Sequence, residues 1–167
     1  LQLCSNLIIF PGRHHLYSEV SKQVKERLHD LTGLVEQISI DEAFLDISDM
    51  CGERPEGSLD LARFSSKPSG RYSTAEKIAL DLQAGIKTEL HLPSSIGIAS
   101  NKLVAKIANE VGKKSGKKKN EPPFGLTIVP TGEEAKFLNP LPADMLWGVG
   151  PKTSARLTEL GIHTIGD

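Results

Sequence analysis

The run Leu34-Val35-Glu36-Gln37-Ile38-Ser39-Ile40-Asp41-Glu42-Ala43-Phe44-Leu45-Asp46-Ile47-Ser48 decides the fold. Ile38 and Ile40 alternate with Ser39 and Asp41, and Leu45 and Ile47 alternate with Asp46 and Ser48. A period of two predicts strands. The step Asp41-Glu42-Ala43 is too polar for a continuous buried strand and places a hairpin bend. The stretch therefore reads as strand, acidic corner, strand.

Upstream, Tyr17, Val20, Val24, Leu28 and Leu31 are spaced by three and four and predict a helix over 15–31, ended by Gly33. Downstream, residues 49–72 are rich in Gly, Pro, Ser and charge without periodicity, which reads as a surface excursion. Ser73 with Glu76 fits a capping box, and Ala75, Ile78, Leu82, Ile86 and Leu90 keep helical spacing until Pro93. Ile96 and Ile98 mark a short strand within 95–100. Asn101 is placed to cap a helix carrying Leu103, Val104, Ile107 and Val111, with Lys102 and Lys106 on its other flank.

Residues 112–123 read as a linker, and 124–129 as a further strand. Thr131 with Glu134 gives another cap signal. Beyond Pro140 and Pro142, the run Gly148-Val149-Gly150-Pro151-Lys152 puts Pro151 at the favoured first position of a helix that stops at Gly161. This order predicts an α+β sandwich followed by a small helical unit.

The chain has 167 residues, 38% apolar and 25% charged, which is ordinary globular usage and excludes collagen or disorder. Its longest apolar run, Leu7 to Phe10, falls far short of the about 18 residues of a membrane span. Two cysteines, Cys4 and Cys51, make no disulfide framework or CxxC metal spacing, so a reducing, cytoplasmic setting is expected. The start, Leu1-Gln2-Leu3-Cys4, has neither Met nor a signal-like segment and reads as an internal cut. The net charge of −1 hides an asymmetry: residues 102–119 hold seven Lys against Glu110 alone, within an otherwise acidic chain. That cluster suits a polyanion contact or, more plainly, a solvated loop.

Asp41 and Glu42 are adjacent carboxylates at a bend, the hard oxygen ligands that Mg²⁺ takes beside substrate phosphates; a solvated hairpin tip is the plain alternative. Gly148 and Gly150 allow close approach to a phosphate, the helix start after them favours an anion, and Lys152 adds charge; a tight turn between helices is the alternative. Trp147 is expected in the core, and the five His residues at surface or structural positions, since none shows metal-ligand grouping.

The string Ser39-Ile40-Asp41-Glu42-Ala43-Phe44-Leu45-Asp46-Ile47-Ser48 closely resembles the catalytic palm motif of Y-family translesion DNA polymerases, of the DNA polymerase IV type. Gly97-Ile98-Ala99-Ser100-Asn101-Lys102-Leu103-Val104-Ala105-Lys106-Ile107-Ala108 resembles the second signature of that family, in order. The segment from Trp147 to Lys152, with Leu160 to Asp167, resembles the thumb helix-hairpin-helix. The resemblance covers 7–48 and 72–167 and leaves 49–71 unmatched.

It implies a ferredoxin-like palm with an antiparallel sheet over residues 1–113, the end of the fingers at its N-terminus, and a helix-hairpin-helix thumb segment over 114–167. It also implies template-directed nucleotidyl transfer by two Mg²⁺ ions, extending a primer past damaged DNA. Asp41 and Glu42 would be catalytic metal ligands, Asp46 structural, Lys106 a contact to the incoming deoxynucleoside triphosphate, and Gly148, Gly150 and Lys152 contacts to the DNA backbone. Primer-template DNA would be a partner, and a sliding clamp another, reached through a C-terminal region outside this chain. The family's first metal-binding motif and C-terminal DNA-gripping domain are not among these residues, so the chain alone is expected to be inactive. Two rival readings remain: a noncatalytic DNA-binding module on a palm scaffold, and a nucleotide cyclase-like palm.

Overall fold

A computed structural model describes residues 6–8, 10–51, 75–115 and 125–167. The chain divides into two compact units, Leu1–Leu45 and Asp46–Asp167.

In the first unit, helix α1 spans His14–Leu31. Of its apolar stripe, Leu28 is buried and Val20, Val24 and Leu31 are half-buried, whereas Tyr17 stays exposed. The helix ends at Leu31, as its apolar spacing predicts. Thr32 turns extended, its N–H still donating to the Leu28 carbonyl at 3.1 Å, and its hydroxyl accepts the Leu34 N–H. Strands β1 (Val35–Gln37) and β2 (Ala43–Leu45) then pair antiparallel, with Val35 opposite Leu45 and Gln37 opposite Ala43. The period-two pattern continues through Ile40, but the strand does not. The Ile38 and Ser39 N–H groups both donate to the Glu42 carbonyl, at 2.9 and 3.2 Å, and close residues 38–42 into a bend.

The second unit opens with a 3-10 turn at Ser48–Met50. Of the excursion expected at 49–72, residues 52–72 lie outside the described residues, as does Ser73 of the proposed capping box. Helix α2 (Ala75–Leu90) buries Ile78, Ala79 and Ile86 and ends at His91, which takes a positive φ of 55° two residues before Pro93. Strand β3 (Ile96–Ile98) leads to helix α3 (Lys102–Ser115), and strand β4 (Leu126–Ile128) returns beside β3. Here the pair is parallel, Ile96 opposite Leu126 and Ile98 opposite Ile128, a pairing that requires a crossover, and α3 supplies it. The antiparallel expectation therefore describes β1–β2 alone among the described strands.

Val104 and Ala108 on α3, with Val129 after β4, form a core cluster joined by Ala99, Phe137 and Leu138, and Ile107 on α3 is also buried. The approach of β3 to α3 is so close that a Cβ on Gly97 would lie 2.1 Å from the Ala105 carbonyl oxygen. Asn101 caps α3 as expected, its Oδ1 accepting the Val104 N–H at 3.0 Å. The helix runs on through Gly112 to Ser115, into residues read as linker.

Helix α4 (Glu134–Leu138) lacks the Thr131 cap. Instead the Glu134 carboxylate accepts the Gly132 N–H at 2.7 Å and the Ser100 hydroxyl at 2.5 Å. Helix α5 (Pro151–Glu159) has Pro in its first turn and is followed by Gly161 at φ +81°. A Pro142–Thr164 bridge and the bonds Ala143 N–H to His163 and Ile165 N–H to Leu141 fold the last residues back onto the segment before α5. Among the described residues no helix is long and apolar enough to cross a membrane.

Candidate active site and nucleic-acid contacts

Asp41 and Glu42 occupy the bend between β1 and β2. Asp41 is exposed and Glu42 half-buried. The Ser39 hydroxyl donates to Asp41 Oδ1 at 2.6 Å and accepts the Asp41 N–H at 3.3 Å. The Gln37 side-chain amide donates to the Ser39 carbonyl at 2.9 Å, and the Ser21 hydroxyl, from α1, donates to the Ile40 carbonyl at 2.5 Å. The acidic corner is thus held on both sides of Asp41.

Two adjacent carboxylates offer the hard oxygens that a divalent cation takes, and Mg²⁺ commonly uses one or two carboxylates plus water and phosphate oxygens. Among the described residues no group of three or more His, Cys, Asp or Glu converges. Asp46 behaves differently. Its carboxyl is held below the usual range by hydrogen bonds from the Ser48 side chain and backbone, and its Oδ1 accepts the Ser48 N–H at 2.9 Å, a capping role.

Lys106 lies in the second unit, on α3, with its side chain largely covered. Glu110 Oε1 is 3.8 Å from Lys106 Nζ and 2.8 Å from Lys113 Nζ. The Lys113 hydrogen bond, ahead of the charges of Lys113, Lys106 and Lys114, holds the Glu110 carboxyl below the usual glutamate range against the opposing effect of burial. Lys113, expected in the linker as part of the basic cluster, instead lies on α3 and is paired with Glu110. The spacing Lys106, Glu110, Lys113 along one helical face was the available signal. Lys102 is exposed.

At the glycine hairpin, only Gly148 requires a left-handed backbone, at φ +96°, whereas Gly150 is extended. A Cβ at either position would meet nothing within 4 Å. Lys152 is exposed in the first turn of α5. Asp144 also lines the adjoining cleft, with Val149, Pro151, Ser154 and Ala155, and opposes an anion there. Trp147 is 53% exposed rather than in the core, because the Val149 N–H to Leu146 carbonyl turn carries it at the hairpin tip. All five His residues are exposed, as expected.

The impB/mucB/samB family model matches residues 1–110. DNA polymerase IV of Desulfatibacillum aliphaticivorans is 38% identical over 166 residues, covering 99% of this chain and 35% of that protein. DNA polymerase IV of Bacillus velezensis is also 38% identical, over 99% of this chain and 33% of its own length. The chain thus spans about a third of the length of these curated relatives. Among solved structures, DinB from Sulfolobus solfataricus superposes with a TM-score of 0.71 at 27% identity, over 98% of this chain and 40% of that one. The insertion ternary complex of Dbh DNA polymerase gives 0.70 at 26% identity, over 98% and 40%. The Y-family resemblance carried by Ser39–Ser48 and Gly97–Ala108 holds over nearly the whole chain, and with its first 110 residues matched, the chain belongs to the impB/mucB/samB family.

Proposed function

We propose that this chain is the palm and the beginning of the thumb of a translesion DNA polymerase that extends a primer 3′ end along a template. The observation that carries the reading is the Asp41–Glu42 pair, set in a bend whose backbone and Asp41 carboxylate are both hydrogen-bonded in place. In place of the expected division into a palm over 1–113 and a thumb segment over 114–167, the pairing of β4 with β3 supports carrying the palm body through Val129.

Asp41 and Glu42 would hold two Mg²⁺ ions together with phosphate oxygens. Bound there, the ions supply charge stabilisation to the attacking 3′ hydroxyl and to the leaving pyrophosphate. Lys106 would neutralise the triphosphate, a point-charge role suited to an ammonium. The Gly148–Gly150 turn and Lys152 would hold the DNA backbone without reading sequence. The likeness to a polymerase solved as an insertion ternary complex supports primer-template DNA and a deoxynucleoside triphosphate as partners. On this reading the protein works where the cell keeps its DNA.

The test is Asp41→Asn in the full-length protein, assayed by steady-state primer extension. Loss of a metal-binding charge is expected to lower kcat/KM by about 10³, equivalent to about 4 kcal/mol of transition-state stabilisation. Extension within about tenfold of the wild type would refute the assignment.

A further inference from the structure

We propose that Ser39 is a positioning residue for the Asp41 carboxylate, with Ser21 clasping the same bend to α1. The proposal rests on the metal reading of Asp41 and Glu42 given above and concerns what makes that pair ready for a cation.

The torsion that turns a carboxylate about its last bond is broad and barely restrained by its own chain. An exposed Asp at a bend would therefore sweep its two oxygens through a wide range. Ser39 restricts that freedom: its hydroxyl donates to Asp41 Oδ1 at 2.6 Å, and it is itself anchored by accepting the Asp41 backbone N–H at 3.3 Å. The first distance is that of a charge-assisted O–H···O⁻ bond. An ionised carboxylate has about four lone-pair directions, so one bond to Oδ1 leaves Oδ2 and the rest of Oδ1 for a cation.

Ser39 is itself held. Its N–H donates to the Glu42 carbonyl at 3.2 Å, and its carbonyl accepts the Gln37 amide at 2.9 Å. The following carbonyl, of Ile40, accepts the Ser21 hydroxyl from a helix 19 residues upstream. A turn needs only the backbone bonds to Glu42 to close. Neither the bond to the Asp41 side chain nor the reach from α1 is required for closure; the first constrains the Asp41 carboxylate, one of the two assigned to metal, and the second fixes the backbone just before it. Outer hydrogen-bond partners of metal ligands typically matter by about 10- to 100-fold in metal affinity.

The experiment measures Mn²⁺ affinity by electron paramagnetic resonance on the full-length protein, with primer-template and a non-hydrolysable nucleotide bound. Ser39→Ala is expected to weaken Mn²⁺ binding by about tenfold or more. Ser39→Thr, which keeps the hydroxyl, should restore it, and Ser21→Ala should weaken it by a smaller factor. Wild-type Mn²⁺ affinity in Ser39→Ala, with affinity lost in Asp41→Asn, would overturn the positioning role and leave the metal reading standing. Wild-type affinity in Asp41→Asn would overturn both. If circular dichroism shows Ser39→Ala unfolded, the remaining variants decide: weakened binding in Ser21→Ala supports the clasp, and unchanged binding there overturns it.

Discussion

Replacing Gly97 with Ala puts a methyl where the structure has no room. The new Cβ would lie 2.1 Å from the Ala105 carbonyl oxygen, 2.5 Å from the Asn109 nitrogen and 3.1 Å from the Asn109 Cα. All three are backbone atoms of α3, so no rotamer change relieves the contact. β3 and α3 must separate by about 0.9 Å to reach even the shortest tolerated distance, and close-packed interiors transmit such a shift. The separation would open the contacts of Val104, Ile107 and Ala108, which are 3%, 1% and 0% exposed. Overpacking of this kind costs about 1–3 kcal/mol, and backbone on both sides places Gly97→Ala near 3. At about 2–4 °C per kcal/mol for a chain of this size, the melting temperature should fall by about 6–12 °C. The assay is thermal denaturation followed by far-ultraviolet circular dichroism, with Gly33→Ala as the companion. Gly33 has nothing within 4 Å of its would-be Cβ and no positive φ, so that variant should be neutral or stabilised by up to about 1 kcal/mol. A Gly97→Ala melt within about 2 °C of the wild type would refute the packing argument.

Lys106→Ala in the full-length protein should raise the nucleotide KM while leaving primer-template affinity nearly unchanged; steady-state kinetics beside a gel-shift titration separates this from a DNA-backbone role. Glu110 is held below the usual glutamate range, so its stabilising pairing is fully present above that range and is lost as pH falls through the lowered folded value. Glu110→Gln should therefore flatten the acid side of a plot of melting temperature against pH, modestly because the pair is partly screened; an unchanged acid limb would count against it. Lys152→Ala should weaken binding to duplex DNA about equally across sequences and reduce the slope of log affinity against log salt by about 1, read by fluorescence anisotropy.

Long amphipathic stripes were the most legible elements. α1 and α2 begin and end within a residue or two of the spacing signal, since a helix face repeats its evidence four or five times. The short strands were less so. Ile38-Ser39-Ile40 mimics strand alternation, and the two N–H bonds to the Glu42 carbonyl show that it belongs to the bend with Asp41 and Glu42, whereas Ala43, expected in the bend, opens β2. The parallel pairing of β3 with β4 joins residues about 30 apart, which no local pattern encodes. Gly112 likewise reads from sequence as the start of the linker. In the fold it is a contact, because a Cβ on Gly125 would come 2.5 Å from the Gly112 carbonyl carbon, and the helix continues past it.

At the candidate site the split is similar. The chemistry of Asp41 and Glu42 is written in two adjacent letters, whereas the Ser21 clasp comes from another element and the exposure of Trp147 from a turn. In the basic stretch a local count of charges misleads about their arrangement. Seven lysines against one glutamate look like an undifferentiated positive patch, yet Glu110 sits between Lys106 and Lys113 and takes part of both charges. An anion arriving there must compete with a carboxylate already in place. A single phosphodiester carries the same unit charge as Glu110 and gains little by displacing it, while a triphosphate brings several charges to the same two ammonium groups. Any phosphate-bearing ligand at this face of α3 would therefore have to draw Lys106 and Lys113 away from Glu110.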